Sequence, residues 1–304
     1  MDRDATLNKN RTIIIVAIFA AIFFVIYSIE NKNLKKEPIK DVKDYSEELK
    51  SIEAKSFYVY DIPSEQPLFA KDEHLKLPLA SITKLMSGLI VLDVLPRTTV
   101  VSINMEDILQ EGDSGLVMGE KWRLKTLLDF SLMSSSNDGI HALSRTLDSY
   151  GKTNNMKTVD LMNYNATRFG LTDTNFINVT GLDVDKVVSG AYSSSRDIAI
   201  LFERILKDDP AVISNTRNQS KDFVSESNIH HVVTNTNIAI NNIPAILASK
   251  TGFTDLAGGN LAVIFDAGFS HPVVIVVLGS SEEGRFTDVE KLVNITLEKL
   301  SNSY

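Results

Sequence analysis

The sequence predicts an α+β domain: an antiparallel sheet built from both ends of the chain, flanked by helices, with a helical subdomain between and one apolar helix ahead. Three observations predict it. Strand-like runs occur at 56–70 and again at 260–278, helical runs fill the interval, and nothing repeats as a βαβ unit. A doubly wound fold would also need a glycine-rich first turn, and there is none.

The elements follow in order. Residues 1–11 read as a short tail. Residues 12–29 (TIIIVAIFAAIFFVIYSI) carry no charge, and eighteen helical residues rise about 27 Å, just enough for a hydrocarbon core. The apolar run ends without an A-x-A-like site, so an uncleaved transmembrane signal-anchor is favoured over a cleaved signal peptide or a buried core helix. Lysines and arginines flank both ends, and the short tail ahead of a large remainder puts the domain on the outer side. Residues 30–50, charged and carrying Pro38, read as a linker. Residues 51–304 read as the folded domain.

Within that domain, Ser56–Tyr60 and Pro67–Ala70 flank a turn-rich break, a hairpin signal. Pro78 to Leu95 is apolar nearly all round behind a helix-starting proline, as for a helix in the middle of a core. Two helices, 124–133 and 139–147, are broken at Ser134–Asp138. An amphipathic helix spans 195–207. Asn260–Phe265 and Val273–Leu278 form a second hairpin, and a last helix covers about 287–300.

Composition bounds the function. The 304 residues include 31 Lys+Arg against 39 Asp+Glu, with no basic cluster, so the footprint of a nucleic-acid binder is missing. With no cysteine, disulfides, thiolate metal sites and a cysteine nucleophile are excluded. The five histidines form no H-E-x-x-H pattern, and neither metal nor organic cofactor is expected.

Three short motifs could carry chemistry. In Ser81-Ile82-Thr83-Lys84 a helix would bring positions i and i+3 to one face, so a hydroxyl meets an amine. A serine needs a base to become a nucleophile, and a lysine becomes one when burial lowers its pKa. Alone the pattern is weak, since Ser149–Lys152 also matches. Ser135-Ser136-Asn137 sits in the break between two helices, where its bland reading is capping. Ser102-Ile103-Asn104 matches it elsewhere. Lys250-Thr251-Gly252 occurs once and leads into the C-terminal strands. On an edge strand, alternation sets Lys250 and Gly252 on one face and Thr251 on the other. The three in this order, each in its required context, form the signature of penicillin-binding proteins and serine β-lactamases.

On these residues the chain resembles the D-alanyl-D-alanine carboxypeptidases of the low-molecular-mass penicillin-binding proteins (serine peptidase family S11). The resemblance runs from about Lys55 to Leu300. Longer words carry it: Pro78 to Met86, Ser135 to Asp138, Lys250 to Thr254 with Ala257-Gly258, and Asn178 through Gly181-Leu182 with Tyr192-Ser193 and Asp197. It implies a β-lactamase/transpeptidase-like fold on a chain held in the cell membrane by one span, with the catalytic domain outside. It further implies acylation of Ser81 by stem peptides ending in D-Ala-D-Ala, or by β-lactams as covalent inhibitors. Lys84 would be the general base and Ser135 the proton relay, with Asn137 holding Lys84 and the substrate amide. Lys250 would polarise the relay, Thr251 would bind the terminal carboxylate, Gly252 would give room, and the N–H groups of Ser81 and Phe253 would form the oxyanion hole.

Several departures stand beside this. The arginine that relatives place at the start of the penultimate strand aligns with Pro272, and a family histidine with Ala191. The β-rich second domain and C-terminal amphipathic anchor of many relatives are not found. Three alternatives stay open: a D,D-endopeptidase on cross-links, a β-lactamase, and a non-catalytic sensing module. For the lactamase, the E-x-x-L-N word is approached only by Glu203–Lys207.

Overall fold

The computed structural model of the protein describes residues 18, 20–28, 43–153 and 155–302. It divides into two compact units, 1–44 and 45–304. In the first, residues 18 and 20–28 are helical, and Ile22, Phe23, Phe24, Val25, Ile26 and Tyr27 are all exposed. Among the described residues no helix is long and apolar enough to cross a membrane. The span expected over 12–29 lies partly outside them.

The second unit is the α+β domain. Its central sheet holds five antiparallel strands: β1 (Ser56–Asp61), β2 (Gln66–Lys71), β3 (Ile246–Thr254), β4 (Gly258–Asp266) and β5 (Pro272–Ser280). Their order is β3-β4-β5-β1-β2, so the two ends of the domain meet where β1 pairs with β5, Val59 opposite Ile275. Strand alternation sorts the apolar residues onto two faces. Leu261, Val263, Phe265, Val273, Ile275 and Val277 join Phe57 and Val59 in one core, with Phe286, Val289, Leu292 and Val293 of the last helix. Ala262, Ile264, Val274, Val276 and Leu278 face the larger helical core. Burial on both faces explains why these strands read as continuous apolar runs.

The helices are α1 (Lys84–Val94), α2 (Leu124–Ser134), α3 (Asn137–Asp148), α4 (Thr158–Arg168), α5 (Ser195–Asp208) and α6 (Gly284–Ser301). α1 is buried nearly all round and stops at Leu95, held extended (ψ 139°) by Pro96. α6 starts three residues earlier than expected, where Ser281 Oγ accepts the Gly284 N–H at 2.9 Å.

Two expectations need correction. The helix expected to run from Pro78 starts at Lys84. Leu77 and Pro78 instead pair as a short strand with Ser193 and Tyr192, and Ala80–Thr83 form a 3₁₀ turn. Ala80 at φ +48° breaks any right-handed helix there. The linker expected over 30–50 also ends too late, because the domain begins at Tyr45. That ring packs edge-on against Phe69 at 5.4 Å, and Ser46–Lys50 form a helical turn. With Leu49 as its one apolar residue, this turn offers no period by which to see it.

Candidate active site

The turn that carries Ser81 is held from three sides. Leu79 donates to Ala191 O at 3.0 Å. Asn260, buried on β4, donates to Pro78 O at 2.9 Å and Leu79 O at 3.1 Å, while its Oδ1 accepts Gly279 N–H. Gly252 lies flush against the same turn: a Cβ there would stand 2.7 Å from Leu79 O and 3.3 Å from Ala80 Cβ. The room this glycine gives is therefore taken by the serine's own turn, not by substrate alone. Gly181, at φ +81°, presses on Ala80 O, where a Cβ would come within 1.9 Å.

From this turn Ser81 meets Lys84 as the i, i+3 spacing predicts. Lys84 Nζ donates to Ser81 Oγ at 2.6 Å and to Thr180 O at 2.9 Å. Lys84 is 0% exposed. Burial, with the nearby Lys250 charge adding, holds its pKa well below the ordinary lysine value. A lowered pKa makes the neutral amine, which can accept a proton, easier to reach.

Ser135 caps the C-terminal end of α2 in the left-handed region, φ +62°. That conformation costs a non-glycine residue about 1–2 kcal/mol and here turns the side chain toward β3. Lys250 Nζ donates to Ser135 Oγ at 2.8 Å and to Thr251 O at 2.8 Å. Lys250 is 1% exposed, and burial, with the Arg285 charge adding, pushes its pKa down to about 7. The capping reading also holds, one residue along: Ser136 Oγ accepts Gly139 N–H at 2.9 Å. The second S-x-N word is a cap as well, Asn104 closing a capping box on Met105–Ile108.

Asn137 and Thr251 are placed differently from the expectation. Asn137 Nδ2 donates to Glu111 O at 2.6 Å, and its Oδ1 is buried without a partner. Lys84 is bonded to Ser81 and Thr180 instead. Thr251 Oγ1 shares a 2.6 Å hydrogen bond with Thr236 Oγ1. Ser81, Asn137 and Phe253 line one cleft of about 610 Å³, together with Glu111, Asp183 and Thr254. Phe253, 43% exposed, forms part of its wall.

At the position where the arginine was expected stands Pro272, and another arginine lies against the lysine strand. Pro272 opens β5 opposite Asp266, at the end of the sheet away from the cleft. Arg285, near the start of α6, donates from Nη1 to Gly252 O at 2.8 Å and lies 5.8 Å from the centre of the Phe253 ring. Glu203, considered for a lactamase water, pairs with Lys207 on α5 and does not line the cleft. Thr180, Asn260 and Arg285 were all missed from sequence. Asn260 had a signal, as a lone amide heading an apolar strand. Thr180 acts through its carbonyl and had none.

The profile of a peptidase family described as D-alanyl-D-alanine carboxypeptidase matches residues 42–282. The chain belongs to that family. It is 28% identical over 232 residues to the D-alanyl-D-alanine carboxypeptidase DacB2 of Mycobacterium tuberculosis, covering 76% of this chain and 77% of that one. DacF of Bacillus subtilis is 26% identical, with 81% of this chain and 63% of the relative covered, so the chain spans about three-fifths of that protein. A D-alanyl-D-alanine endopeptidase of Escherichia coli is 27% identical over 78% of this chain and 75% of its own. Among solved structures, a D-alanyl-D-alanine carboxypeptidase from Mycobacterium tuberculosis superposes with a TM-score of 0.71 at 24% identity, over 87% of this chain and 95% of that one. Penicillin-binding protein D2 of Listeria monocytogenes, solved in its ampicillin-bound form, gives 0.67 at 24% over 81% and 98%. The α+β fold is that of the penicillin-binding proteins.

Proposed function

We propose that this D-alanyl-D-alanine carboxypeptidase works through an acyl-enzyme on Ser81, releasing the terminal D-Ala of peptidoglycan stem peptides. One observation carries the reading: Ser81 Oγ lies 2.6 Å from the amine of a lysine that burial makes a base. Ser81 Oγ attacks the carbonyl carbon of the penultimate residue, and its proton passes to neutral Lys84. The N–H groups of Ser81 and Phe253 hold the oxyanion, each such donor worth about 3–4 kcal/mol. As the C–N bond breaks, Ser135 hands its proton to the leaving amine and takes back the one held by Lys84, which returns to the neutral form, with the Lys250 ammonium beside it. Water then attacks the ester carbonyl, Lys84 takes its proton, and as the C–O bond breaks Lys84 returns that proton to Ser81 Oγ, which restores both groups.

Asn137 Oδ1, an acceptor without a partner, suits the substrate's amide N–H. Thr251 and Arg285 suit the terminal carboxylate. Arg285→Gln is expected to lower kcat/KM by about tenfold or more for a peptide ending in a carboxylate, the scale of one lost charged hydrogen bond. The same peptide ending in a carboxamide is expected to change less than about twofold, and equal losses on both would contradict the assignment.

Residues 12–29 serve in this reading as a membrane anchor that holds the domain outside the cytoplasm, supported by their unbroken apolar sequence. A β-lactam ring would acylate Ser81 in the same way. The test is incubation of the protein with a diacylated Lys-D-Ala-D-Ala peptide and, separately, with a cross-linked dimer. Release of free D-Ala from the first supports the carboxypeptidase. Cleavage of the dimer alone would favour the endopeptidase reading that the Escherichia coli relative suggests.

A further inference from the structure

At the end of the domain away from the cleft, the β4–β5 turn carries Phe269 fully into solvent. Phe269 and the next residue, Ser270, both stand in the left-handed region, at φ +56° and +61°. For a bulky side chain this conformation is an outlier, and it fixes the ring outward. Beside it lies a groove of about 660 Å³ lined by Ala267, Gly268, His271, Leu297 and Leu300. An apolar groove rimmed by an exposed aromatic is a surface that something covers.

Where the chain enters the domain says what that is. Tyr45, the first residue of the folded unit, packs on Phe69, and the same ring carries Lys299 Nζ at 4.6 Å. Lys299 belongs to the last turn of α6, whose Leu297 and Leu300 line the groove. The folded unit therefore begins beside the groove's end of the helix. Residues 30–44 number fifteen and extend to at most about 50 Å. The cleft lies at the other end of the sheet, a nine-residue strand of roughly 30 Å away.

We propose that Phe269 and this groove dock on the lipid interface of the membrane that holds residues 12–29. The inference rests on the anchor reading above. Phe269 enters the headgroup boundary, where amphipathic and aromatic groups settle. Docked so, the domain turns its cleft away from the bilayer and toward the wall.

The chain has no cysteine, so one introduced thiol carries one label. The full chain bearing Phe269→Cys, labelled with a polarity-sensitive fluorophore, is mixed with phosphatidylethanolamine–phosphatidylglycerol vesicles that carry nitroxide lipids. The expected result is a blue-shifted emission at least halved by the nitroxide. A label at Val117→Cys, exposed on the loop that brings Glu111 and Gly112 to the cleft, is expected to stay unquenched. Protein that floats with the vesicles while both labels behave as in water would overturn the docking and leave the anchor standing. A blue shift without nitroxide quenching would mean that protein covers the groove, and overturns it too. Protein that does not float at all sinks the anchor reading and this inference with it.

Discussion

Ser81→Ala is expected to lower kcat for D-Ala release by about 10⁴-fold or more, the scale seen when a serine nucleophile is removed. Its melting temperature should stay within a few degrees of the parent. The side chain contributes one hydrogen bond, from Lys84, which keeps Thr180 O as its second acceptor. Steady-state release of D-Ala and a thermal melt decide it together. If activity survives with the fold intact, the hydroxyl at 2.6 Å from Lys84 is not the nucleophile.

Lys84→Gln is expected to cost about 10²–10⁴-fold in acylation, the range for a lost general base. It should also change the pH profile. Two buried lysines share this site, and the proposed mechanism uses them in opposite charge states. In that mechanism Lys84, whose pKa burial and the Lys250 charge hold well below the ordinary lysine value, is the one that gives up its proton. Lys250, at about 7, keeps its charge up to neutrality. The parent's kcat/KM should therefore rise with pH as the pair loses its first proton, then fall above about 7 as the second leaves. In Lys84→Gln the rising limb should vanish. A parent profile that is flat from pH 5 to 9 would contradict both assignments.

Stability carries the same signature. A lysine whose native pKa lies below its unfolded value binds more protons unfolded, so stability rises with pH between the two values. For Lys250 that window runs from about 7 to the unfolded value of about 10.4. Burying Lys250 thus costs the fold stability at and below neutral pH, and that cost fades as pH rises toward about 10.

Much of the fold could be read from the chain because its periods are strong. The β4 and β5 runs and the breaks on either side of α2 and α3 left little choice of element. The site's chemistry was legible too, since Ser81 and Lys84 sit three apart and Lys250 opens a motif found once. What stayed hidden depends on tertiary contact. Ala80 takes a positive φ only because Gly252, Gly181 and Asn260 fix the turn around it. The Thr180 carbonyl that holds Lys84 carries no side-chain signature. Arg285 lies in a charged stretch, Glu282 to Asp288, that reads as a solvated helix start. In the fold that start packs behind the lysine strand, and the arginine is 8% exposed.

The direct measurement is the mass of the protein after brief exposure to benzylpenicillin, followed by peptide mapping. The account predicts one added penicilloyl group, located on Ser81, which forms more slowly in Lys84→Gln and not at all in Ser81→Ala. An adduct on another residue, or none at millimolar antibiotic with the fold intact, would contradict it.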